Sequence, residues 1–218
     1  MLRIALITIF FAKTFNVFSQ TKEFSFNISY SSVGFITDET GFIIGTGFVF
    51  EKPNQVITCA HVIQKNKIFF RPVKPEKTSY LLHLKTTYEA EDIAILISDD
   101  TICKEPLKYG TSDKISPGDQ IVYIGYNQNE SNDKSIVLKA HRAELSACGL
   151  VKNGGSIARF FEFQGEGIPG YSGGPVFDVN GGVIAIFRQA WTVKGLKRGA
   201  PETLINRAFS ITPISNSK

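Results

Sequence analysis

The chain has 218 residues, 43% of them hydrophobic and 20% charged, which suits one domain or two small packed halves around a sizeable core. Its formal charge is +4, but its basic residues are scattered, as in Lys65/Lys67 and Lys194/Lys197/Arg198, with no run of five or six. That pattern reads as a solvated surface and excludes nucleic acid as an expected partner.

The N-terminus carries a short positive start, Met1-Leu2-Arg3, and then an apolar run over residues 4–12. Val17-Phe18-Ser19 offers a small-residue cleavage site, so residues 1–19 are expected to be a secretory signal, although Lys13 interrupts the tail of the run. The competing readings are an uncleaved anchor and a buried N-terminal strand. No later segment approaches membrane-spanning length, so an exported protein without stable membrane insertion is expected.

Beyond this leader the chain reads as short strands between turns. Phe24, Phe26, Ile28 and Tyr30 alternate with polar neighbours and open a strand over residues 25–35. Residues 41–50, 55–59, 68–73, 80–84 and 93–97 follow. Residues 101–118, richer in Pro, Gly, Lys and Asp, read as a connection, which divides the chain into halves at 20–110 and 111–218. In the second half, strands are expected over 119–125, 135–145, 160–163, 175–178 and 182–187, with a polar loop over 127–134. Asn180-Gly181-Gly182 marks a hairpin turn. No long amphipathic helical stretch interrupts residues 25–180, so the fold class is all-β, a sandwich or barrel.

Three cysteines, Cys59, Cys103 and Cys148, cannot all pair within one chain; a Cys103–Cys148 bridge is compatible with export. There is no CxxC and no Cys/His cluster at metal-ligand spacing, so neither metal nor cofactor is expected.

The chemistry-bearing stretch is "PGYSGGPVF", where Ser172 is walled in by glycines. A serine hydroxyl attacks a carbonyl only with a base beside it and an acid orienting that base. "GYSGG" formally fits the nucleophile elbow of α/β-hydrolases, but that fold places its histidine after the serine. Here His61, His83 and His141 all precede Ser172. An Asp–His–Ser order would need helices the sequence lacks, which leaves His–Asp–Ser. His83 shares a strand face with Lys85, and His141 lies between Lys139 and Arg142; both are expected in water. His61 instead ends the apolar run "VITCAHVI" and is the favoured base. Asp92, just before the strand of "EAEDIAILI", is the favoured acid, with alternation turning Glu91 away from it.

Five blocks occur in order: "GTGFVF" (45–50), "VITCAHVI" (56–63), "EDIAIL" (91–96), "KISPGDQIVYIGY" (114–126) and "PGYSGGPVFD" (169–178). Together they resemble a trypsin-like serine peptidase of the chymotrypsin fold, closest to the bacterial HtrA/DegP-like group, over residues 31–213. The resemblance implies two perpendicular β-barrels with the active site between them. It implies His61 as general base, Asp92 as its orienter and Ser172 as nucleophile, with the N–H groups of Gly170 and Ser172 as the oxyanion hole. Polypeptides would be the substrates. In the digestive branch the position of Tyr171 is an aspartate that pairs with a new N-terminus, a pairing Tyr171 cannot make. Residues 185–187, Ala185, Ile186 and Phe187, resemble the strand that pairs with an extended substrate, although a plain core strand fits equally. Ile186 and Phe187 suggest a small or apolar pocket, whereas Glu166 at its floor would favour Lys or Arg; the apolar choice is preferred. HtrA-like proteins usually continue into PDZ modules, and none follows "FSITPISNSK", which puts PDZ-driven regulation and cage assembly in doubt. Two rivals remain: a catalytically silent double barrel that binds peptides or partners, and an ester hydrolase.

Overall fold

The structure is a computed structural model that describes residues 31–64, 67–73, 78–111, 114–126, 138–153, 156–193 and 202–215. The expected leader, most of the first expected strand and the expected loop over 127–134 lie outside these residues.

Among the described residues, twelve strands form two closed, six-stranded antiparallel barrels. The first is built from β1 (Val33–Thr37), β2 (Ile43–Val49), β3 (Gln55–Cys59), β4 (Ile68–Pro72), β5 (Tyr80–Tyr88) and β6 (Ile93–Ile97), closing in the order β1-β2-β3-β6-β5-β4. The second comprises β7 (Gln120–Tyr126), β8 (Leu138–Asn153), β9 (Ser156–Gln164), β10 (Pro175–Phe177), β11 (Val183–Val193) and β12 (Thr203–Ser210), in the order β10-β11-β12-β9-β8-β7. A 3₁₀ turn over Ala60–Ile63 and a four-residue helix, α1 (Thr212–Ser215), complete the described elements. Closure removes the open sheet edges that would otherwise invite pairing with other chains.

In the second barrel β7, β10 and the first half of β11 carry near-continuous apolar runs because both their faces are buried. On β7, Ile121 and Tyr123 pack inside the barrel, while Val122 and Ile124 face the first barrel's core. The same division holds on β10, where Val176 points in and Phe177 points across. On β11, Ala185 and Phe187 point in and Ile186 points across. A period of two therefore builds two cores at once.

The sequence reading misses β12 altogether and shortens β5, β8, β9 and β11, the last of which runs on to Val193. In β12 the apolar pattern is broken by Asn206 and Arg207. Asn206 is fully buried and donates to the Gly165 carbonyl at 3.1 Å. Arg207 pairs with Glu162 of β9 and lies over the rings of Phe160 and Trp191. Arg207 is paired inside the sheet and the Asn206 amide N–H is bonded, while Asn206 Oδ1 is buried without a donor among the described residues. Alternation alone reveals none of this. The expected hairpin at Asn180-Gly181-Gly182 does join β10 to β11. There Asp178 Oδ1 accepts from the N–H groups of Asn180 (2.8 Å) and Gly182 (3.0 Å). All three cysteines are unpaired.

The connection between barrels touches both, bridging Leu107 to Phe50 and Tyr109 to Val183. The tighter link is Thr46 on β2. Its N–H donates to the Ser172 carbonyl (2.9 Å), and its hydroxyl donates to the Gly170 carbonyl (2.7 Å) while accepting from Tyr126 N–H (3.0 Å). Thr46→Val keeps the shape but leaves a buried N–H and C=O unpaired. Chemical denaturation should show a loss of about 1–3 kcal/mol, and an unchanged midpoint would show that the hydroxyl does not link the barrels.

Candidate active site

His61 sits on the 3₁₀ turn directly after β3, so the buried strand carries its ring to the end of the first barrel. Asp92 precedes β6, the strand paired with β3, with Cys59 opposite Ile93. That register brings the two side chains together. His61 Nδ1 lies 2.6 Å from Asp92 Oδ2, and the His61 backbone N–H donates to Oδ1 at 3.0 Å. An ionised carboxylate only accepts, so the contact assigns the proton to Nδ1 and leaves Nε2 as an acceptor. Asp92 adopts a left-handed backbone with φ 59°, a conformation that Asp tolerates better than most side chains. The turn is held by Asp92 N–H to the Glu89 carbonyl (3.3 Å) and Ala60 N–H to the Asp92 carbonyl (2.8 Å).

Burial alone would push the Asp92 carboxyl up. The hydrogen bond and charge of His61, the His61 backbone N–H and the Arg188 guanidinium outweigh it, and the carboxyl sits below its ordinary value. Glu91, expected to face away, is also buried, and desolvation raises its carboxyl.

Ser172 comes from the loop between β9 and β10 in the second barrel. Gly170 and Gly173 have φ values of 105° and 90°, which L side chains rarely adopt. A Cβ on Gly173 would also strike the Thr46 carbonyl. Among the described residues, the backbone N–H groups of Gly170 and Ser172 have no protein acceptor, whereas their neighbours do: Tyr171 N–H donates to Ile168 and Gly173 N–H to Phe187. The Ser172 hydroxyl donates to the carbonyl of Arg188 at 3.0 Å.

His61, Asp92 and Ser172 border a cavity of about 480 Å³ that Ile168, Phe187 and Ala190 also line. Of the residues expected to bind substrate, only Phe187 lines it. Ala185 and Ile186 are fully buried, and both their edges are taken, by β10 and by β12. Phe187 is likewise bonded to Gly173 and Gly174, so the β10 side of β11 opens only from Arg188 onward. The Glu166 carboxylate is not at the cavity. It lies 3.7 Å from His141 Nε2.

His141 corrects the expectation of a wet side chain. It faces inward on β8, its side chain only 21% exposed, stacks on Tyr123 and hydrogen-bonds to the Tyr171 hydroxyl at 2.7 Å. Arg142 says nothing of this, because adjacent residues of a strand face opposite ways, and Lys139, on the same face two residues back, does not show that the Tyr123 and Tyr171 rings cover His141. Tyr171 itself is fully buried against Gly125, where any side chain would collide with its ring. The residue between Gly170 and Ser172 thus anchors the serine loop in the second barrel's aromatic core.

Sequence reasoning also missed Arg188. Its Nε donates to Asp92 Oδ2 at 3.0 Å across the two barrels. A lone cation ending an apolar strand was the available signal. Cys59 Sγ, His61 and Asp92 place donor atoms within 4.8 Å of one another. Burial and the Asp92 charge push the Cys59 thiol well up, and the Arg188 guanidinium stands beside the same carboxylate, so the cluster suits a cation poorly.

A trypsin-like peptidase domain matches residues 45–186. The chain belongs to the trypsin-like peptidase family. Two probable periplasmic DegP-like serine endoproteases, from Marinomonas sp. (strain MWYL1) and Pseudomonas putida (strain W619), are each 28% identical over 155 residues, or 70% of this chain. The chain spans about a third of their length (31% and 30%). In fold, this trypsin-like chain is similar to a protease from M. tuberculosis in its active form, with TM-score 0.66 and 19% identity over 86% of this chain and 79% of that one. It is also similar to the MamO protease domain of Magnetospirillum magneticum, with TM-score 0.67 and 14% identity over 87% and 96%.

Burial holds His141 below its ordinary value despite the nearby Glu166, so the folded protein binds its proton less readily than the unfolded chain. That stability is present above the ordinary histidine range and lost as pH falls through it. The melting temperature should therefore drop from about pH 7.5 to pH 5.5, and His141→Gln should flatten the drop; equal slopes would show that His141 does not contribute.

Proposed function

We propose that this trypsin-like chain is a serine endopeptidase that cuts exposed or unfolded polypeptide through an acyl-enzyme. The carrying observation is the 2.6 Å His61–Asp92 contact on the wall of the cavity that also holds Ser172. In this reading His61 Nε2 takes the Ser172 proton as the hydroxyl attacks the scissile carbonyl. Asp92 holds the ring in the needed tautomer and stabilises the imidazolium, which then protonates the leaving amine. Water repeats the sequence on the acyl-enzyme. The unpartnered N–H groups of Gly170 and Ser172 would receive the developing oxyanion, where one such donor contributes about 10²–10³ in rate.

An extended substrate would add along the open edge of β11 from Arg188, with Phe187, Ile168 and Ala190 forming an apolar side-chain pocket. Glu166, turned toward His141, leaves that pocket without a carboxylate floor. The periplasmic names of the DegP-like relatives support export of this chain. Among the described residues no helix is long and apolar enough to cross a membrane.

One observation favours the silent-scaffold reading: among the described residues the Ser172 hydroxyl bonds to the Arg188 carbonyl and not to His61. Fluorophosphonate labelling separates the two. The parent should label, Ser172→Ala and His61→Ala should not, and Asp92→Asn, which preserves the left-handed turn, should slow labelling by about 10⁴-fold. A folded parent that stays unlabelled would overturn the peptidase reading.

A further inference from the structure

The guanidinium of Arg188 is not needed to hold the sheet. In the β11–β12 ladder Phe187 pairs with Ala208 and Gln189 with Arg207, so Arg188 is the extra residue of a bulge. A bulge re-aims one side chain and frees its carbonyl. Both consequences reach the cleft: the carbonyl takes the Ser172 hydroxyl at 3.0 Å, and the side chain crosses to the other barrel. It lies over the Phe209 ring at 5.0 Å, which fixes its plane, and its Nε donates to Asp92 Oδ2.

Two nitrogen groups therefore share one carboxylate oxygen, His61 Nδ1 at 2.6 Å and Arg188 Nε at 3.0 Å. The groups facing Asp92 are His61 from the 3₁₀ turn, the protonated Cys59 thiol from the end of β3 and Arg188 from β11; Glu91 precedes it in the chain. Arg188 is the one permanent charge in this set. It neutralises part of the Asp92 charge whether or not the ring carries a second proton. A protonated ring must then form beside a cation, while the neutral ring suffers no such opposition.

We propose that Arg188 is a positioning residue of the active site, fixing Asp92 across the barrel interface and setting the lower pH limit at which Ser172 can be activated. The inference rests on the His61–Asp92–Ser172 reading. Loss of this fixed positive charge beside Asp92 should move the acid limb of Ser172 labelling to higher pH, whereas a lysine, which keeps the charge, should leave it in place. A hydrogen bond without charge would orient Asp92 but leave the limb displaced.

The test measures the second-order rate of fluorophosphonate labelling of the full chain from about pH 5 to pH 9, in the parent, Arg188→Lys, Arg188→Gln and Arg188→Ala. Thermal melts report folding, and the Gln variant, which keeps an N–H donor and most of the packing on Phe209, serves if Ala does not fold. The acid limb should rise by about one pH unit in Gln and Ala and stay with the parent in Lys. A uniform loss of rate with no movement of the limb would reduce Arg188 to a structural residue and overturn the proposal. A limb that moves equally in Lys would overturn it too. Failure of the parent to label would instead sink the triad reading beneath it.

Discussion

The cleft depends on Thr46. His61 and Asp92 belong to one barrel and Ser172 to the other, and side chains that act together must be held to within about 0.5 Å. Apolar packing between barrels is strong but non-directional, so it cannot set that register alone. Thr46 supplies direction through its N–H to Ser172 and its hydroxyl between Gly170 and Tyr126. Its own carbonyl accepts from the Thr58 hydroxyl at 2.8 Å, tying the same point back to β3 just before His61. Such backbone approach demands small neighbours: a Cβ on Gly45 would press on Val62 and the Ser172 carbonyl, and one on Gly173 on Thr46 and Thr58. Gly45 is thus explained by two barrels meeting at main-chain distance, whereas a Cβ on Gly47 would strike Ile36 inside the first barrel.

Asp92 shows how this interface tolerates charge. A largely buried carboxylate must be paired or it protonates. Here the acceptor oxygens are shared among the His61 backbone, the His61 ring and Arg188, two groups from the first barrel and one from the second. The cross-barrel donor makes the ionised state of Asp92 a property of the assembled pair of barrels. Separating them would strand the carboxylate without its permanent counter-charge, and would strand the Gly170 and Ser172 carbonyls without Thr46.

The strand frame and the position of His61, Asp92 and Ser172 near one cavity were legible in the sequence, because alternation, glycine punctuation and chain order are local signals. What escaped was set by partners distant in the chain. β12 hides behind Asn206 and Arg207, whose donor groups find partners only once β9 and the Gly165 carbonyl are beside them. His141 reads as wet from Lys139 and Arg142, yet its partner Tyr171 is 30 positions away. Glu166 has the spacing of a pocket floor but turns to His141, and the strand edge expected to take substrate, at Ala185 and Ile186, is already paired with β10. Residue type and spacing locate chemistry; the direction a side chain takes depends on which strand arrives next to it.

Tyr171 completes the account of the serine loop. The loop is gripped from both sides: Thr46 holds its carbonyls from the first barrel, and the buried Tyr171 ring, flanked by Tyr123 and Phe187 and hydrogen-bonded to His141, holds it from the second. A charged residue at this position would need a counter-ion at the centre of an aromatic core, whereas a tyrosine needs only one acceptor for its hydroxyl. Fixing the loop through its carbonyls and its one large side chain leaves the N–H groups of Gly170 and Ser172 without an acceptor among the described residues. The proposed oxyanion role would use such donors, since groups already held in place need no reorganisation as charge appears. The bulge at Arg188 belongs to the same economy of geometry. One residue that skips the ladder gives its carbonyl to the serine and its side chain to the aspartate, joining the two ends of the proposed triad through a single point on β11.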